Sequence, residues 1–311
     1  MDNDMYFNVN EVSLSNLKDL LFKRISLEES SICEISFIVD SLLRESREIF
    51  GDDIDINDII SLIDVVNEEN NDAESISESV APNLLLGYLS NVGIMEKSAF
   101  ASLLAEKLSQ SGLTVLESDF LDSSPCDESF AYVKNGLSDE AFDVFSQEFS
   151  APRIKYCQTI KEACVAVRDG EAGYCIVPFE EKGVRIPTIA ELVRSLDLKI
   201  VAITPVFGFE GTADTKYALI SGGFKIPDHA ESTDRYLEID FDSPVASVVV
   251  ASEYLGYKVY RISSSVIRDD GERVTHSAII KDGGRGFTEL LIYLSVSGVD
   301  FSPAGIYKNI E

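Results

Sequence analysis

The sequence predicts an α/β protein with three parts: a helical N-terminal module, one lobe of alternating strands and helices, and a C-terminal ferredoxin-like βαββαβ unit. Three observations carry this reading. Apolar residues recur at helical spacing through the first part of the chain. From Ser129 onward, short apolar runs alternate with amphipathic helices. Near the C-terminus the periods switch in the order β-α-β-β-α-β. The expected modules are residues 1–128, acidic and mainly helical, 129–225, the lobe, and 236–311, the terminal unit.

In the first module, LSNLKDLLFKRI repeats apolar residues through Leu17, Leu20, Leu21 and Ile25, and ICEISFIVDSLLRESREIF and DINDIISLIDVV continue that period. NEENNDAESISES reads as a polar linker. LLLGYLSNV follows, and then EKSAFASLLAEKLSQSG predicts a helix closed by Gly112. LTVLESDF reads as a strand and LDSSPCDE as a second linker.

In the lobe, FAYV, IKYC, AGYCIVPF, LKIVAIT and TKYALIS read as strands of one largely parallel sheet. SDEAFDVFSQEF predicts a helix with Ser138 as N-cap. TIKEACVAVRDG carries a Thr-x-x-Glu capping box at Thr159 and Glu162 and ends at Gly170. TIAELVRSL opens on a second box, Thr188 and Glu191, after Pro187. The terminal unit runs through YLEIDF, SPVASVVVASEYLG, YKVYRISSSVI, a turn at Asp269-Asp270-Gly271, VTHSAIIKD, GFTELLIYLSVSG and VDFSPAGIYK.

Composition excludes several function classes. With 54 acidic and 26 basic side chains, the net charge is −28. About −20 of it falls in the first 128 residues. Nucleic-acid and anionic-membrane binding need clustered Lys and Arg, so neither partner is expected. The five cysteines form no CxxC pair, and His229 and His276 stand apart, so no metal and no cofactor is expected. MDNDMYFNVN lacks the basic and apolar regions of a signal peptide, and no apolar stretch approaches a membrane span, so the expected location is cytoplasmic. KDGGRGF, at 281–287, places three glycines before a helix and could cradle an anion. It lacks the Lys-Ser/Thr of a P-loop and reads as a plain strand-to-helix loop.

A strand ending in Val177-Pro178, a Thr-x-x-Glu helix, the Thr215-Lys216-Tyr217 strand and the terminal βαββαβ unit together resemble the prephenate dehydratase family. That family joins a two-lobed catalytic domain to an ACT regulatory domain, and the resemblance covers about residues 129 to 311. The family's Asn-x-Thr-Arg-Phe signature stands here as Ala213, Thr215, Lys216 and Tyr217. Its Val-Pro-Ile-Glu-Asn-Ser stands as Val177, Pro178, Phe179, Glu180, Glu181 and Lys182, and its glycine-rich opening is reduced to Gly136 and Ser138. In the ACT part, Glu-Ser-Arg-Pro lies over Ser263, Ser264, Ser265 and Val266, and the Pro-Gly turn becomes Pro244-Val245. The closing Leu-Gly-x-Tyr keeps Gly305 and Tyr307.

The resemblance implies Thr215 and Lys216 as catalytic, Glu180, Gly136 and Ser138 as substrate-binding, and Pro244, Val245, Ser263, Ser264 and Ser265 as holding an amino acid at an ACT interface of a homodimer. The departures weigh against activity. Lys216 keeps the charge of the family's Arg without its bidentate fork. Glu181, in place of Asn, adds a negative charge where a dianion would bind. Only ITPVFGFEGTAD separates LKIVA from TKYALIS, where the family inserts a whole second lobe. The expectation is a degenerate family member, regulatory or scaffolding, linked to phenylalanine biosynthesis. Thr215 is expected on an open face and phenylalanine binding to be weak or absent. The alternative is an active prephenate dehydratase, a carbon–oxygen lyase, whose cleft is completed by the N-terminal module or a second subunit.

Overall fold

A computed structural model describes residues 32–49, 51, 54–60, 92–113, 115–121, 127–207, 215–224, 235–267 and 273–309. The chain divides into two compact units, Met1–Thr114 and Val115–Glu311.

The first unit contains helices α1 (32–49), α2 (56–60) and α3 (Ile94–Gln110). Their apolar stripes become its core. α1 buries Ile35, Ile38, Val39, Leu42 and Leu43, and α3 buries Phe100, Ala101, Leu104 and Leu108. Lys107 on α3 pairs with Asp40 on α1. Gly112 follows α3 at φ +82, the left-handed position that favours glycine at a helix end. The segments LSNLKDLLFKRI and NEENNDAESISES lie outside the described residues, as does most of LLLGYLSNV.

The second unit opens on a short 3-10 turn, Glu117–Asp119, where the sequence predicts a strand. The alternation in LTVLESDF is overridden locally: Asp119 Oδ2 accepts the Leu116 N–H at 2.7 Å and closes the turn. Then come β1 (Ser129–Val133), α4 (Gly136–Phe145), β2 (Arg153–Cys157), α5 (Ile160–Arg168), β3 (Tyr174–Glu181), β4 (Val184–Arg185), α6 (Pro187–Ser195), β5 (Lys199–Val206) and β6 (Thr215–Ser221). The terminal unit consists of β7 (Arg235–Phe241), α7 (Val245–Tyr254), β8 (Lys258–Ile267), β9 (Arg273–Lys281), α8 (Thr288–Val296) and β10 (Phe301–Asn309).

These strands form one mixed sheet in the order β2-β1-β3-β6-β5-β10-β7-β9-β8, with β4 paired to β3. The βαββαβ order of the terminal unit, β10-β7-β9-β8 with every pair antiparallel, is the ferredoxin-like arrangement that the sequence predicts. In the lobe, β1 is parallel to β2 and β3, but β6 runs antiparallel to both β3 and β5. The expectation of a largely parallel sheet therefore fails at β6. Residues 207–214 join β5 directly to β6, and so short a connection returns the chain antiparallel, whereas a parallel crossover needs a dozen residues or more.

The sequence does not announce that the lobe and terminal unit share one sheet. β10 pairs in parallel with β5, matching Gly305 to Ile200 and Asn309 to Ile203.

Helix starts differ from expectation in two places. Asn135, not Ser138, caps α4: its Oδ1 accepts from Leu137 N and Ser138 N, each at 3.0 Å. Ser138 is the reciprocal partner, accepting the Asn135 N–H at 3.0 Å. In α6, Pro187 takes the first helical position, Ile186 is the cap, and no side chain caps the helix, so the Thr188–Glu191 box does not form. Thr159 does cap α5, accepting from Glu162 N at 3.1 Å.

Two apolar layers cover the lobe sheet. One holds Phe130, Tyr132, Ala141, Phe145, Tyr174, Tyr217 and Leu219, beneath α4. The other holds Ala163, Val167, Cys175, Val177, Ile189, Ala218 and Ile220, beneath α5 and α6. Alternate residues of β6 thus enter opposite layers, as a strand's two-residue period requires. That alternation positions the candidate site.

Candidate functional site

The strand order reverses direction between β1 and β3, the place where open α/β sheets bind ligands at the strands' C-terminal ends. β1 ends there in the turn that starts α4. Gly136 is its first helical residue and is exposed, whereas Ser138 is buried. The Ser138 hydroxyl donates to Val133 O at 2.6 Å and accepts from Asn135 N, so its bonding is spent on holding the turn. The Tyr217 hydroxyl bonds Asn135, bringing β6 to this helix start; burial raises the Tyr217 pKa and the Asn135 bond opposes that shift.

Thr215 and Tyr217 share the α4 side of β6, while Lys216 projects to the α5–α6 side. There Lys216 Nζ pairs with Glu180 Oε1 at 3.3 Å. Arg261 of β8 approaches the other oxygen, Oε2, at 3.8 Å. Glu180 thus lies between two cations, one from the lobe and one from the terminal unit. The structure brings Lys216 and Glu180 together and places Thr215, Gly136 and Ser138 by the opposite face. Glu181 pairs with Thr215 across the ladder, and Lys182 and Gly183, at φ 51 and 77, form the tight turn into β4.

Beside Glu180 lies a network that the sequence reading did not single out. Arg185 makes a bidentate bridge to Glu238 of β7 and stacks over the Phe179 ring at 4.3 Å. The Tyr307 hydroxyl donates to Glu238 Oε2 at 3.4 Å; burial pushes this tyrosine well above its ordinary range, and the Glu238 charge adds to the effect. Arg194 of α6 forks onto Asp240 at 2.7 and 3.0 Å. Arg185, Arg194, Lys199, Glu238, Asp240 and Pro303 line a pocket of about 60 Å³ along the β5–β10 seam. Its cations are paired with carboxylates, so the pocket presents a neutralised, hydrogen-bonding wall.

In the terminal unit, Pro244 is the N-cap of α7 and Val245 its first residue; no side chain supplies a cap bond. Ser263, Ser264 and Ser265 pair across the β8–β9 ladder with Ser277, His276 and Thr275. Ser264 Oγ lies 2.8 Å from His276 Nδ1, and the His276 ring leans on Phe241 at 5.5 Å, at the end of the strand that leads to Pro244. His276 is the residue that sequence reasoning passed over. A signal for it existed: Ser264 and His276 each lie six positions from Asp270, the centre of the predicted hairpin turn.

Among the described residues no group of three or more His, Cys, Asp or Glu could hold a metal ion, and no helix is long and apolar enough to cross a membrane.

The fold and these sites define a mixed α/β protein with a ferredoxin-like terminal unit continuous with its lobe. No protein-family model matches this sequence, and no curated protein matches it. Among solved structures it is similar to prephenate dehydratase from Streptococcus mutans, at 15% identity over 59% of this chain and 99% of that one, with a TM-score of 0.48. It is similar to GqqA, described as a novel type of quorum quenching acylase, at 16% identity over 58% and 95%, TM-score 0.43. It is also similar to the Arthrobacter aurescens prephenate dehydratase in complex with L-Phe, at 10% identity over 58% and 90%, TM-score 0.43. These likenesses are of fold and assign no activity.

Proposed function

We propose that this is a prephenate dehydratase-like protein without catalysis, serving a regulatory or scaffolding role linked to phenylalanine biosynthesis. In this reading residues 129–225 are the remnant lobe, 236–311 an ACT-like domain and 1–128 a helical interaction module of a cytoplasmic homodimer. One observation carries it. Thr215 and Lys216 leave β6 on opposite faces, and Lys216 is committed to Glu180. A single prephenate could not take a hydroxyl-directed bond from Thr215 and a carboxylate contact from Lys216 at once. The short connection 207–214 leaves no room for a second lobe between β5 and β6, which supports the same reading.

The terminal unit supports a binding role. Among the described residues β8 is the end strand of the sheet, and it exposes Tyr260 and Ile262, at 64% and 38%, as a surface for a second copy. Ser264, His276, Pro244 and Val245 gather near one end of that unit and would offer an amino acid mainly neutral hydrogen bonds, each worth about 1 kcal/mol. Incubation of the full chain with prephenate, followed by detection of phenylpyruvate, tests the proposal. Turnover that Thr215→Ala abolishes would show a working enzyme instead.

A further inference from the structure

Glu117 and Arg235 form an ion pair in which the side chains are only 8% and 5% exposed, although 118 residues separate them. The second Glu117 oxygen, Oε1, accepts the Phe287 N–H at 2.8 Å, just before α8. The Arg235 guanidinium also lies over the Phe287 ring at 5.6 Å. The glycine loop leading into α8 is organised by another carboxylate: Asp282 Oδ1 accepts from Gly284 N, Arg285 N and Gly286 N at 2.8, 3.0 and 3.1 Å. Gly286 has φ +77, and a Cβ there would stand 3.0 Å from Glu117 Oε1. The loop that could cradle an anion is therefore filled by the chain's own carboxylates.

Among the described residues, few buried side chains anchor the segment that carries Glu117. Of residues 115–121, only Glu117 and Leu121 are buried, and Leu116 is 53% exposed. A seven-residue stretch with one fully buried apolar side chain, and Val115 and Phe120 only half-buried, has few apolar contacts to resist local opening. Its carboxylate, by contrast, meets a guanidinium and a backbone N–H in a site largely closed to water, where charge-assisted bonds are strongest.

We infer that residues 115–121 form a strap latched by Glu117 onto a carboxylate receptor made of Arg235 and the Phe287 N–H. Opening the latch frees the strap and uncovers the receptor, which then accepts a small carboxylate in place of Glu117.

The test is chymotrypsin cleavage of the full chain at Leu116, Phe120 and Leu121, with the fold checked by circular dichroism. Glu117→Ala is expected to speed cleavage at these positions about tenfold. Formate or acetate should speed cleavage of the wild-type strap with saturation, because a carboxylate that fills the opened receptor keeps Glu117 out, and should leave the Glu117→Ala rate unchanged. Cleavage of Glu117→Ala at the wild-type rate overturns the latch. A wild-type rate that neither formate nor acetate raises overturns the receptor. Should Glu117→Ala fail to fold, Glu117→Gln keeps an acceptor for Phe287 N while removing the charge. Faster cleavage than wild type is then expected, and an unchanged rate overturns the proposal.

Discussion

Gly305 of β10 lies so close to Ile200 of β5 that an added Cβ would stand 2.7 Å from both the Ile200 carbonyl oxygen and its Cβ. This contact is the seam through which lobe and terminal unit become one sheet. A side chain at position 305 must push the two strands apart. Gly305→Ala is expected to destabilise the second unit by about 2 kcal/mol, as overpacking of a close contact does. Urea unfolding monitored by tyrosine fluorescence measures it. An unchanged midpoint would mean that the seam is looser than described.

The Arg185–Glu238 bridge crosses the same boundary on the α5–α6 side, with side-chain exposures of 18% and 4%. Removing the guanidinium leaves a buried carboxylate whose remaining hydrogen bond, among the described residues, is from the Tyr307 hydroxyl. Arg185→Met is expected to cost about 3 kcal/mol in urea unfolding, and the double variant Arg185→Met/Glu238→Gln to recover most of that loss. If the double variant is as unstable as the single one, stacking of the Arg185 guanidinium on Phe179 is the larger contribution.

Alkaline pH should unfold the second unit through its tyrosines. Burial raises the hydroxyls of Tyr132, Tyr257, Tyr293 and Tyr307 above their ordinary value of 10.0. In the unfolded chain they ionise near that value, while in the folded protein they stay neutral. Their contribution is therefore complete below about pH 10 and is lost as pH rises beyond it. Thermal midpoints should fall most steeply above about pH 9.5, with a late part of the phenolate absorbance appearing only on unfolding. Phenolate absorbance that reaches the full value for all 12 tyrosines without unfolding would contradict the burial of these groups.

Much of the fold was legible because helix and strand periods differ so clearly along the chain. The helical stripe of 32–49, the lobe strands and the βαββαβ order all follow from it. What was not legible depends on contacts distant in sequence. LTVLESDF alternates like a strand, yet Asp119 closes a turn there and Glu117 is drawn to Arg235. Thr188–Glu191 repeats the Thr159–Glu162 spacing, but with Pro187 at the first helical position the cap falls at Ile186 instead. The candidate site was half legible. Motif reading grouped Thr215 with Lys216, whereas the two-residue period of a strand already sends neighbours to opposite faces. The Arg185–Glu238–Tyr307 network spans more than one hundred residues of sequence and had no local signature.

Calorimetric titration with phenylalanine and with tyrosine, alongside a measured solution mass, examines the terminal unit. Weak or absent heat is expected with either amino acid, because Ser264 and His276 offer no fixed charge pair for a zwitterion. The mass is expected at twice the 34.2 kDa chain mass. Micromolar binding would contradict the weak-ligand reading, and a strict monomer would contradict pairing through β8.

The central claim is that Thr215 and Lys216 no longer form one catalytic site. Its most direct test is phenylpyruvate production from prephenate at neutral pH, comparing the full chain with Thr215→Ala and Lys216→Ala. The account predicts that all three proteins leave prephenate at its buffer rate of decay. Turnover by the wild-type chain, lost in both variants, would show that the two side chains do act on one substrate and would contradict it.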